Sequence, residues 1–245
     1  MNSLSTTYLS LPLSSPLVAS ASPLTRELDS LRKLEDAGAA AVVLPSVFEE
    51  QLQQENTFME HFLDANRDSH SEAQAFFPDK DLYEHKSGLV LEKISKAKAS
   101  LSIPVIASLN GSTPEGWSAY AKKIEQAGAD AVELNLYEIA ADPAVSSSEL
   151  EERQLHTVKE ICNAINIPVT VKIGPHYSAL ANMAQRFEQA GASGLVLFNR
   201  FYQPDFDIES RTTSRKLGLS SSREMLLPMS WIAILRGQRT LDLAA

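Results

Sequence analysis

The sequence predicts an α/β fold, a (β/α)8 TIM barrel that is incomplete, with about six βα units in one domain spanning residues 1–245, and three observations carry that expectation. EQAGADAVEL at 125–134 has close variants at 35–44 (EDAGAAAVVL) and 188–197 (EQAGASGLVL), each reading as a helix end, a glycine stop and a buried strand. IPVIAS at 103–108 and IPVTVK at 167–172 start 64 residues apart, and the EQAGA copies at Glu125 and Glu188 start 63 apart, the mark of a duplicated pair of βα units. Six runs, PLVAS, AVVLP, PVIAS, AVELN, PVTVK and GLVLF, are continuously apolar and lead into polar or small residues, as expected of strands covered on both faces or closed into a barrel.

Taken in order, PLVAS at 16–20 is bounded by Pro and Ser and reads as the first buried strand. Thr25 offers a helix N-cap, Leu28, Leu31 and Leu34 follow at helical spacing, and Gly38 stops the helix before a strand over 41–44. Residues 48–77 are acidic and polar, an excursion outside the repeat with Phe58, Met59 and Phe62 partly in helical period. His61, Asp64, Asp68 and His70 in that stretch match no metal-binding motif and read as a solvated helix face. Leu89, Ile94 and Ala97 restore helical spacing. Pro114, after Thr113, starts a helix over 115–126, and helices over 149–165 and 178–190 follow. Cys162 falls on the apolar face of the second of these, as a buried structural thiol would.

Beyond residue 201 the pattern predicts no seventh strand: 203–222 is polar and turn-rich, MLLPMSWIAIL at 225–235 is apolar and packs on the core, and LDLAA closes the chain. On that reading two βα units are missing from the barrel. Six parallel strands also fit a doubly wound sheet, but no G-x-G-x-x-G follows any of them.

Composition narrows the function classes. A net charge of −9, with no cluster of Lys and Arg among aromatics, disfavours nucleic acid and leaves small molecules as the expected ligands. No apolar run approaches the roughly 18 residues of a membrane span, and residues 1–22 lack the basic region of a signal peptide, so a cytoplasmic protein is expected. A single cysteine precludes an internal disulfide.

Both architectures bind ligands at the carboxyl ends of the strands. The residues there include Ser20, Ala21, Ser22, Pro45, Ser46, Ser108, Asn110, Asn135, Tyr137, Lys172, Asn199 and Arg200. Neutral amides and hydroxyls with a strand-end ammonium suit a flat, carbonyl-rich, partly anionic ligand such as a flavin or a pyrimidine. Lys172 could instead form a Schiff base in a barrel lyase.

The order of 16–22, IPVIASLNG, AVELNLY, PVTVKIGP and LVLFNRFYQPD resembles the dihydroorotate dehydrogenase family, and particularly its dihydroorotate dehydrogenase-like branch, from about residue 5 to about residue 240. The resemblance implies an FMN-containing (β/α)8 barrel that oxidises dihydroorotate to orotate in pyrimidine biosynthesis. It places Ser20, Ala21, Ser22 and Ser108 along the flavin, Lys172 at the flavin's polar edge, and Asn135 and Asn199 on substrate and isoalloxazine. The sequence departs from the family at three places. A serine or cysteine base is expected after the Asn-Leu pair, but Tyr137, Glu138 and Ile139 follow, leaving Glu138 as the candidate catalytic base. Pro45 stands where the family has a lysine. The glycine-rich turns that hold the FMN phosphate lie past the last residue, so a truncated chain is expected, with an unclosed barrel whose edges favour a homo-oligomer. A degenerate, non-catalytic barrel fragment is the third reading.

Overall fold

The apolar runs form one curled parallel sheet in the computed structural model, which describes residues 4–48, 86–110, 114–136, 138–200, 205–214, 220–238 and 240–245. The excursion expected over 48–77, with its four His and Asp residues, lies outside the described residues apart from Phe48, and so do Tyr137 and residues 201–204.

The chain opens with an antiparallel hairpin, β1 (Thr6–Tyr8) and β2 (Leu11–Leu13), turned by Leu9 and Ser10, both at positive φ. β3 (Val18–Ala19) follows, then a 3-10 turn over Pro23–Thr25 and α1 (Leu28–Asp36). This corrects the expectation for Thr25. The capping hydroxyl is that of Ser22, which accepts from Leu24 N, Thr25 sits inside the turn, and Glu27 starts α1 without a side-chain cap. β4 (Ala41–Val43), β5 (Val47–Phe48), α2 (Lys86–Ser100), β6 (Val105–Asn110), α3 (Pro114–Gln126), β7 (Ala131–Leu136), α4 (Ser147–Ala164), β8 (Val169–Ile173), α5 (Leu180–Gln189) and β9 (Gly194–Leu197) continue the alternation. A small hairpin, β10 (Asp205–Asp207) with β11 (Thr212–Ser214), precedes α6 (Leu226–Leu235) and β12 (Asp242–Ala244).

The strand order is β12-β9-β8-β7-β6-β4-β3, every neighbouring pair parallel, with β5 pairing the tip of β6. Seven parallel strands backed by helices make an incomplete TIM barrel, which settles the choice against a doubly wound sheet. The seventh strand corrects the expectation of none: LDLAA forms β12, pairing Gly194–Val196 of β9. The reading of 225–235 also needs correction. Leu235 is buried, but Leu226, Leu227, Met229 and Ile234 are exposed, so α6 covers the core only in part.

The repeated EQAGA unit has a mechanical role. Its glycines, Gly38, Gly128 and Gly191, take φ between +96° and +105°, a left-handed conformation that ends each helix. Its glutamates reach sideways to the loop before another strand: Glu35 accepts from Ser102 N (2.8 Å), Glu125 from Asn166 N (2.8 Å) and Glu188 from Thr240 N (2.9 Å). Each clamp fixes the entry of a strand, β6, β8 and β12 in turn.

Alternation divides the sheet. Val132, Leu134, Val171, Ile173, Leu195 and Leu197 pack outward against Trp117, Ile124, Val158, Ile161 and Phe187 of the helices in the main core. The inner face begins with Val43, Ile106 and Ala131, on which Leu9 of the hairpin sits. A Cβ at Gly194 would lie 2.8 Å from Leu9 Cδ2, so glycine there makes room for the hairpin to plug the amino end of the barrel. Cys162 is largely buried beside Gly191, as expected of a structural thiol, and burial pushes its thiol up to about 11. No helix among the described residues is long and apolar enough to cross a membrane.

Candidate active site at the strand tips

Above the plug the inner face turns polar. The register places Ser108, Glu133, Thr170 and Gly194 in one row and Asn110, Asn135, Lys172 and Val196 in the next row toward the carboxyl ends. In the lower row Tyr8 OH and Thr170 Oγ1 lie 3.1 Å apart, and burial raises the Tyr8 phenol far above its ordinary range. Ser46 and Ser108 hydroxyls are 2.7 Å apart, and Ser108 donates to Glu133 Oε1 at 3.4 Å. Lys172 Nζ is 3.6 Å from the same Glu133 oxygen. Glu133 is 3% exposed, and burial pushes its carboxyl above the ordinary glutamate value, against the pull of the Lys172 charge and the Ser108 bond.

In the upper row Asn199 Nδ2 donates to Asn135 Oδ1 at 2.7 Å, while Asn199 N donates to Ile173 O, tying the loop after β9 to the end of β8. The two asparagines singled out in the sequence therefore meet, and β8 places Lys172 beside Asn135. Glu138 is bound to Arg153 of α4 at 2.6 Å. A cavity of about 290 Å³ opens beside this row, between the loops after β7 and β8, with Leu136, Glu138, Leu150, Gln154, Tyr177 and Asn199 on its walls. Tyr177 OH donates to Gln154 Oε1 at 2.8 Å.

The first-strand residues fall differently. Ser20 is exposed at the end of β3, Ala21 packs into the inner apolar cluster, and the Ser22 hydroxyl is engaged in its 3-10 cap. Sequence reasoning missed Glu133 and the partnership of Ser46 with Ser108. A signal for Glu133 was present: AVELN carries its acid at an inward position of a run otherwise apolar, where a charge needs a partner. Among the described residues no group of three or more His, Cys, Asp or Glu could hold a metal ion.

A barrel wall with two amides, an ammonium and a buried carboxyl at its strand tips is a site in search of a family, and the family model for dihydroorotate dehydrogenase matches residues 82–223, more than half of the chain. The chain belongs to the dihydroorotate dehydrogenase family. It is 34% identical over 119 residues to the putative dihydroorotate dehydrogenase A (fumarate) of Aeropyrum pernix, covering 45% of this chain and 36% of that protein. It is 28% identical over 116 residues to the catalytic subunit of dihydroorotate dehydrogenase B (NAD(+)) of Halalkalibacterium halodurans, covering 46% of this chain and 38% of the relative. The matches thus span well under half the length of these dehydrogenases. A phosphonopyruvate hydrolase in complex with oxalate and Mg++ shares the fold, with a TM-score of 0.51 at 15% identity over 94% of this chain and 66% of that one.

Proposed function

We propose that this dihydroorotate dehydrogenase-like chain forms the flavin- and substrate-facing wall of an FMN-dependent oxidoreductase, acting on the CH–CH bond of a dihydropyrimidine or related small acid in pyrimidine biosynthesis. The observation that carries the reading is the Asn135–Asn199 amide pair beside Lys172 on the inner face of a barrel of this family. The donor set fits the group: amide and ammonium hydrogens match a planar ring edged with carbonyl oxygens, and Ser108 adds a hydroxyl below.

FMN, when bound, supplies the acceptor for the hydride leaving the substrate carbon. Lys172 would donate to the electron-rich edge of the bound ring and supply the positive charge that stabilises its reduced form. Asn135 and Asn199 would hold the flat substrate through the amide groups that their mutual hydrogen bond leaves available. Of the first-strand residues, Ser20 is exposed and would be free to border the ring, while Ser22 would do so through its backbone, its hydroxyl being engaged in the cap. Glu138 lines the same cavity as Asn199 and takes the proton from the adjacent carbon, with Arg153 fixing its orientation.

Adding FMN to the purified protein should produce a shifted flavin absorbance, and anaerobic dihydroorotate should bleach it. Absence of any flavin binding would remove the proposal. Glu138→Gln should leave FMN binding intact and slow the bleaching by about 10²–10⁴-fold if it is the base.

The lyase reading of Lys172 is weakened by geometry. A Schiff-base lysine is activated by desolvation or by a neighbouring cation, whereas the neighbour of Lys172 is the Glu133 carboxyl at 3.6 Å. Borohydride trapping with simple keto acids should leave Lys172 unmodified. The third reading, a non-catalytic fragment acting through assembly, and a homo-oligomer in general draw support from the exposed apolar residues of α6.

A further inference from the structure

We infer that Glu133 is the positioning residue of Lys172: its buried carboxyl, steadied by the Ser46–Ser108 hydroxyl pair, holds the Lys172 Nζ in place at the strand tips. What Lys172 faces there rests on the flavin reading above; that Glu133 governs its placement does not.

Glu133 is the one acid among the described residues that is buried to below a tenth of its surface, while its inward neighbours one row down, Ile106 and Ala131, are apolar. A carboxyl at such a site is costly to keep, and an apolar side chain would pack there without penalty. Its surroundings explain its presence. Lys172 lies one row up on the adjacent strand, the diagonal position from which a long side chain reaches back across the sheet. Its Nζ and the Ser108 hydroxyl converge on the same Oε1, at 3.6 and 3.4 Å, and Ser46 holds Ser108 from the β4 side at 2.7 Å. Three strands and the loop after β4 therefore contribute to one relay whose outer end is the Lys172 ammonium, only 16% exposed. No other acid is within ion-pair distance of Lys172 among the described residues.

The test compares wild type, Glu133→Gln, Glu133→Asp, Lys172→Met and the Glu133→Gln/Lys172→Met double variant, after thermal melts establish which are folded. In flavin-free protein, acetic anhydride labelling of Lys172 at neutral pH, read by mass spectrometry against the other lysines of the chain, should accelerate several-fold in Glu133→Gln, because the amine loses the carboxyl that holds it inside the sheet. Glu133→Asp, which withdraws the carboxylate by one methylene, should fall between the two and keeps the test informative if the glutamine variant does not fold. In the second arm, FMN affinity should drop about tenfold in Glu133→Gln and in Lys172→Met, with no further loss in the double variant. Unchanged labelling in the glutamine and aspartate variants, or additive losses of FMN affinity, would overturn the inference. No FMN binding by wild type, together with the labelling change in the Glu133 variants, would sink the flavin reading and leave the role of Glu133 standing.

Discussion

Glu133 fixes a pH dependence whose sign is set by burial. Because its carboxyl lies above the ordinary glutamate value of 4.5, the folded chain binds this proton more tightly than the unfolded chain. That contribution to stability is complete below pH 4.5 and is lost as pH rises through the elevated folded value. Urea unfolding from pH 4.5 upward should show Glu133→Gln gaining on wild type as pH increases; a constant difference would contradict the burial argument. Lys172→Met should steepen the wild-type slope, since the ammonium pulls the carboxyl down. At the strand tip, Asn199→Ala leaves Asn135 Oδ1 without its 2.7 Å donor, a loss of about 1 kcal/mol in denaturant unfolding, while FMN or substrate affinity should fall further than that bond alone requires. At this scale the sequence was partly legible. Asn135, Asn199 and Lys172 were found because strand ends are readable from apolar runs, whereas the Glu133–Lys172 pairing depends on a register between strands that no single run encodes.

Among elements, the repeated helix end does more than stop a helix. Glu35, Glu125 and Glu188 each grip a backbone N–H two to three residues before a strand, so the wall is stitched by side chains as well as by its ladder. Ser102 holds the Glu35 carboxyl below the usual glutamate range through side-chain and backbone bonds. Its support is present above that range and is lost as pH falls through the folded value, the reverse of Glu133. Glu125→Ala should cost about 1 kcal/mol by urea unfolding, screened by its exposure, and should accelerate amide exchange at Asn166. Gly194→Ala should cost about 1–3 kcal/mol by the same measurement, because Leu9, Thr170 and the Asp242 carbonyl crowd the new methyl. Six strands were visible in the sequence because each exceeds its flanks in apolar content. β12 was missed because three residues with an aspartate at their head carry little strand signal, although the clamp from Glu188 to Thr240 repeats the one that precedes β6. The first hairpin was missed for another reason: Leu9 and Ser10 take left-handed conformations that such turns usually give to Asn or Gly.

For the whole molecule, the open strand order leaves β3 and β12 as its two ends, and α6 presents Leu226, Leu227 and Met229 outward. Concentration-dependent association by light scattering is expected, and Leu227→Lys should reduce it without shifting the unfolding midpoint by more than about 0.5 kcal/mol. The barrel class was legible from periodicity, but its curl was not, since closure depends on how strands tilt rather than on which residues are apolar. One contact also orders events in time. Leu9 N donates to Asp242 Oδ2 at 2.6 Å across 233 positions of sequence, so the hairpin that fills the amino end of the barrel is locked by a residue far along the chain. Until the two ends of this span meet, the plug has no latch. Seating the plug therefore waits on a closure of high sequence separation, whose entropy cost slows the last step of folding.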